Sequence, residues 1–132
     1  MRFMLIQSYG TIEGVGPLPT WAPAEIQAHI AYQQRVNDEL TERGELIDAQ
    51  ALTGPEAARF VTYGGTGEPV VTDGPFPETK ELLAGYRIID VESLERAIEV
   101  AAQVSAAPGP NGVPLGQPIE LREVMAPLGA EA

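Results

Sequence analysis

Cysteine is absent from the 132 residues. That excludes disulfides, thiolate nucleophiles and thiolate metal sites together. Histidine occurs once, as His29, so a zinc site would need three carboxylates, an unusual donor set. No metal and no cofactor are expected. Basic residues are scarce: eight Lys and Arg, with Lys80 the single lysine, against 19 Asp and Glu, a formal net charge of −11. Without clustered cations the chain cannot displace counterions from nucleic acid, and an anionic membrane surface repels it. The apolar run Phe3-Met4-Leu5-Ile6 is too short for a signal segment or a membrane span. What remains is an acidic globular chain, expected to be cytoplasmic and to form one domain over residues 1–126 with a short tail at 127–132, since domains run to roughly 100–200 residues.

The first strand is expected over residues 3–8. Phe3 and Leu5 alternate with Met4 and Ile6, so both faces are apolar and the strand reads as central and covered on both sides. The longest helical signal follows, with Thr20 as the expected N-cap, Pro23 and Glu25 in the first turn, and Gly44 as the stop. A second strand is expected over 45–52. A hairpin of short strands at 59–63 and 69–72 is joined by Gly64-Gly65-Thr66-Gly67. Residues 78–84 read as two helical turns closed by Gly85, and 86–91 as a strand. A second main helix follows over 92–104, with Leu94, Ala97, Ile98, Ala101 and Val104 at helical spacing. Residues 105–118, dense in Pro and Gly, read as a loop without regular structure, and 119–125 as the last strand. The order β-α-β, hairpin, β-α-β predicts an α+β fold of the ferredoxin-like βαβ-βαβ kind with an inserted β-hairpin. Two helices cover only one face of such a sheet, so the other face predicts a homodimer packed sheet to sheet.

The first helix carries an unusual stripe. Ile26, Ile30, Val36 and Leu40 share one face at about 100° per residue, and His29, Gln33 and Asn37 fall within it at i, i+4, i+8. Polar groups on a buried face cost free energy unless partnered. They read either as a satisfied core histidine with amides or as the polar lining of a cavity between helix and sheet. Asp73 follows a strand in Asp73-Gly74-Pro75-Phe76-Pro77. Turn chemistry explains an Asp there, but two prolines also fix it as a positioned acid or base, with Phe76 as an apolar contact. Lys80 reads as a solvated cation or as a counter-ion for an acidic ligand. Gly64-Gly65-Thr66-Gly67 lacks the Lys-Ser/Thr of a phosphate loop and reads as a turn. Trp21 packs at the helix start or covers a pocket.

At Val71-Thr72-Asp73-Gly74-Pro75-Phe76 the chain resembles the YCII-related proteins, specifically the branch named for its Asp-Gly-Pro-Phe motif. The resemblance extends to Gly44-Glu45-Leu46-Ile47, Leu83-Ala84-Gly85-Tyr86, Ile89-Asp90-Val91-Glu92-Ser93 and Glu120-Leu121-Arg122-Glu123-Val124-Met125. It implies a ferredoxin-like fold that dimerises into an α+β barrel, with a cleft beside Asp73. Shorter members carry a helix histidine suspected of acid–base work; the matching position here holds Gln33, which cannot transfer protons near neutral pH. His29, one turn earlier, is the expected substitute.

Two functions follow. One is a small-molecule-binding barrel protein, acting as an acid–base enzyme on a small organic substrate, with Asp73 and His29 lining one pocket as the catalytic pair, Gln33 and Trp21 near its mouth, and Gln33, Trp21, Phe76 and Lys80 as the ligand-binding residues. The alternative is a non-catalytic regulatory module associated with an extracytoplasmic-function sigma factor.

Overall fold

The structure, a computed structural model, describes residues 1–8, 14–73 and 83–126. In chain order these form β1 (Arg2–Ser8), α1 (Pro23–Glu42), β2 (Leu46–Ala51), β3 (Arg59–Thr62), β4 (Val70–Asp73), β5 (Leu83–Asp90), α2 (Leu94–Ser105) and β6 (Glu120–Glu123). This is a mixed α+β architecture. One sheet has strand order β2-β5-β1-β6 with antiparallel neighbours; β3 and β4 form a separate two-stranded sheet. The described strands close no barrel.

β1 is central, between β5 and β6. Its alternation sends Phe3 and Leu5 into a core with Val36 and Leu40 of α1, Ile89 and Val91, and Ala97, Val100 and Val104 of α2. Both helices therefore pack on one face of the sheet. Met4, Ile6, Tyr86 and Ile88 alternate with these core residues and lie on the other face, half-buried, which neither helix covers.

Several elements differ from the sequence reading. Thr20 is not the N-cap: it lies in a 3-10 turn, Leu18–Thr20, and its hydroxyl donates to Pro17 O at 2.6 Å. Ala22 caps α1 instead, with Pro23 at the first helical position. Ala22 lacks a side-chain acceptor, so only the return bond of a capping box forms, from Ala22 N–H to Glu25 Oε1 at 3.0 Å. Residues 83–84 are strand, because Leu83 pairs with Ser8 and extends β5 backwards along β1. Gly85 thus closes no helix. It sits inside β5, where a Cβ would lie 2.8 Å from Gln50 O of the neighbouring strand. Ile30, Leu94 and Ile98 are exposed. Ile30 stands about 120° round α1 from Val36, off the inward face.

The stop of α1 is as read. Gly44 takes φ +71°, and Glu45 N–H returns to Leu40 O at 2.8 Å, the long bond of a Schellman ending. The Glu45 carboxylate then ties this end of α1 to α2 through Arg96, at 2.8 Å, and to Arg43, at 2.9 Å.

Candidate functional site

The polar stripe of α1 meets a partner on the sheet. In β5 the core-facing residues are Gly85, Arg87 and Ile89, so a guanidinium rises where an aliphatic side chain would ordinarily pack. Arg87 is 5% exposed. Its Nε donates to Asn37 Oδ1 at 2.7 Å, and its Nη2 to Gln33 Oε1 at 2.7 Å and to Gln33 O at 3.3 Å. Its Nη1 donates to Gln7 Oε1 at 3.3 Å. Among the described residues no carboxylate lies within ion-pair distance of it. Burial pulls the Arg87 pKa below the ordinary arginine value, yet an arginine remains protonated inside proteins.

The hydrogen-bond directions in this seam follow from chemistry. Arginine only donates, so the Gln33 oxygen faces Arg87 and the Gln33 NH2 faces away. That NH2 lies 3.4 Å from His29 Nε2. On the other side of the ring, Nδ1 is 3.0 Å from Pro108 O. A carbonyl only accepts, so Nδ1 carries the proton. In the neutral ring Nε2 then holds the lone pair, directed at Gln33. The tautomer is thus assigned from its surroundings.

Trp21 closes one edge. It is buried, meets the His29 ring edge-on at a centroid distance of 5.5 Å, and donates from Nε1 to Gly16 O at 2.9 Å. The segment after α2 forms the wall that supplies Pro108. It contains a bridge between Pro108 and Pro114, a 3-10 turn at Pro110–Gly112, and an N–H of Asn111 that donates to Glu25 Oε2 at 2.6 Å. It is therefore more ordered than its Pro and Gly content predicts. Glu25, holding the N–H groups of Asn111 and Ala22, has its carboxyl lowered from the usual range by those two bonds.

The structure thus brings together Trp21, His29 and Gln33, and joins Asn37 to them through Arg87. Asp73 stands at the end of β4, in the two-stranded sheet. Its carboxylate is 87% exposed and stands 3.8 Å from Arg59 Nε. Arg59 also borders an open groove of about 300 Å³ lined by Leu52, Pro55, Phe60 and Leu83. None of these residues contacts the seam under α1 through the bonds given above. Phe76 and Lys80 lie outside the described residues. Among the described residues no three His, Asp or Glu side chains gather as a metal-binding set, and no helix is long and apolar enough to cross a membrane.

Sequence reasoning missed Arg87, Gln7 and the Pro108 carbonyl. The first two had a signal. Arg87 is in phase with Ile89 and Gln7 with Leu5 and Phe3, each on the apolar side of its strand. The carbonyl of a proline in a loop has none.

Comparison with known proteins agrees with the resemblance at family level. The chain matches the model of the YCII-related domain over residues 1–125. It is 34% identical over 87 residues to an uncharacterized protein of Rhizobium meliloti (strain 1021), covering 66% of this chain and 69% of that protein. A domain match across nearly the full length, with the α+β sheet and helices described above, makes the chain a member of the YCII-related family.

Proposed function

We propose that this chain is a small-molecule-binding protein of the Asp-Gly-Pro-Phe branch that moves a proton on a small organic substrate. The observation that carries the reading is the fixed imidazole: Pro108 O holds His29 Nδ1–H at 3.0 Å, which leaves Nε2 as an oriented base beside Gln33. Imidazole is the side chain suited to general-base work near neutral pH. Gln33 transfers no proton; it sets the direction of the ring and offers an N–H to an oxygen that gains charge. Trp21 shields one ring edge from water. Asp73 is the second proton-transfer group that the motif implies, with Phe76 and Lys80 along its segment as ligand contacts.

In this reading the sheet order and the two connections that carry α1 and α2 form a ferredoxin-like unit. A second copy covers Met4, Ile6 and Ile88, giving a dimeric α+β barrel in the cytoplasm. The test needs no known substrate. A panel of small enolisable carbonyl compounds is incubated with the protein in D2O, and deuterium incorporation is read by mass spectrometry. Catalysed exchange that falls at least about 100-fold in His29→Gln is expected, the usual scale for a general base. Exchange that survives this substitution removes His29 from the mechanism.

A second reading, the non-catalytic module paired with an extracytoplasmic-function sigma factor, draws on a different observation. Val61, Tyr63, Val70 and Val71 of the hairpin are all exposed, and clustered exposed apolar residues mark interaction surfaces. Binding of a purified sigma factor that is lost in Val71→Lys, with no proton exchange by the wild type, would favour it.

A further inference from the structure

We infer that the small molecule taken by the seam carries a carboxylate, and that Arg87 holds it; the inference rests on reading that seam as a small-molecule site. The chain treats its other described arginines differently. Arg2, Arg43, Arg59, Arg96 and Arg122 each stand within 4.0 Å of a carboxylate, and Arg35 lies over the Tyr32 ring. Among the described residues Arg87, at 5% exposure, meets only the neutral oxygens of Asn37, Gln33 and Gln7. Amide oxygens solvate a cation but do not neutralise it, and a buried unpaired charge is costly. In a chain with 19 acidic residues, a buried cation that meets amides alone among the described residues lacks there a counter-charge that a ligand can supply.

The geometry also indicates where. Arginine has five N–H donors, and the contacts of Arg87 use the one on Nε, both on Nη2 and one on Nη1. Nη1 keeps one hydrogen without an acceptor among the described residues, and its other bond, to Gln7, is long at 3.3 Å. Gln7 is paired across the sheet with Gly85. Gly85 shares the helix side of β5 with Arg87 and adds no side chain beside it. With a spare hydrogen and a long bond at Nη1, a ligand carboxylate takes that corner and displaces Gln7. No second described cation joins Arg87, so the charge balance fits a monoanion rather than a phosphate dianion. Gln33 touches Arg87 with its oxygen and His29 with its nitrogen. His29 and Gln33 are one turn apart, about 6 Å along the helix. The ligand class is thus a short carboxylic acid whose reacting carbon lies a few bonds from the carboxylate.

The experiment titrates acetate, propionate and pyruvate against acetamide, propionamide and inorganic phosphate at constant ionic strength. The readouts are the Arg87 Nε–H NMR signal and the melting temperature. Saturable shifts with the carboxylates are expected, with the matched amides at least about tenfold weaker, the scale of one charge-assisted hydrogen bond. Arg87→Gln removes the response, but it also strips α1 of its tie to the sheet. The decisive variant is therefore Gln7→Glu, which keeps Arg87 and supplies an internal carboxylate. It is expected to raise the melting temperature and abolish the carboxylate response. An unchanged response in Gln7→Glu, or phosphate binding more tightly than any carboxylate, overturns the inference. Equal binding of acids and amides at the seam overturns it while leaving the small-molecule reading intact; no binding at the seam by any probe overturns both.

Discussion

Under α1, Arg87 is 5% exposed and donates to three amide side chains. On the β3–β4 hairpin, Arg59 and Asp73 keep 71% and 87% of their side-chain surface in water and stand 3.8 Å apart. The hairpin holds the motif residue that the sequence makes conspicuous, yet among the described residues it offers that residue one solvated partner. The seam holds residues no motif marks, and it fixes each by direction as well as distance. The difference teaches that a positioned group needs a buried scaffold around it. A lone two-stranded sheet supplies little of that, whereas a helix packed on a four-stranded sheet supplies it on every side.

The comparison breaks most visibly at Arg87. Arg87→Ala leaves the inward oxygens of Asn37 and Gln33 without their donor, and a loss of about 3 kcal/mol or more is expected in urea denaturation, since two charge-assisted bonds at 2.7 Å go with it. A loss below about 1 kcal/mol would mean that the seam holds nothing in place.

Next in size is Glu45, at the far end of α1. Arg96 first, and then Arg43, hold its carboxyl below the usual range against the opposing effect of burial. A folded-state pKa below the unfolded one makes this contribution fully present above about pH 4.5 and lost as pH falls through the lowered folded value. Glu45→Gln is expected to cost about 1.5–3 kcal/mol at pH 7 and to flatten the acid limb of the stability profile.

Glycines sharpen the contrast at smaller scale. Gly85→Ala places a Cβ 2.8 Å from Gln50 O, and overpacking against backbone is expected to cost about 1–3 kcal/mol. Gly64→Ala, in the hairpin, meets nothing within 4 Å and is expected to be neutral or stabilising by about 0.4 kcal/mol through the unfolded chain. Both are read from urea midpoints. Smallest of all is Asp73→Ala, for which no resolvable shift in midpoint is expected, because an exposed pair at this distance contributes almost nothing.

Much of this was legible in the residues. The two apolar faces of β1 announced a central strand, and Gly44 announced the end of α1. The i, i+4, i+8 run of His29, Gln33 and Asn37 announced a polar stripe on an inward face. What escaped was whatever depended on tertiary pairing. Thr20 is a good cap by preference, but its hydroxyl turns back to Pro17 O. Leu83 and Ala84 have helical propensity, but the backbone of β1 claims them as strand. Ile30 was grouped with the core by spacing alone, when the inward face is centred nearer Val36 and Leu40. Arg87 escaped for a different reason: a charged residue in a strand reads as exposed unless its phase with Ile89 is given more weight than its charge.

The claim that the seam under α1 is where this protein meets its ligand has a direct test. The protein, labelled with nitrogen-15, is titrated with a panel of small organic acids and carbonyl compounds. Signals are followed from the His29 ring, the Gln33 side-chain amide and the backbone of Val70–Asp73. The account predicts saturating shifts at His29 and Gln33, with the His29 proton on Nδ1 in the free protein. Shifts confined to Val70–Asp73, or a free His29 that carries its proton on Nε2, would contradict it.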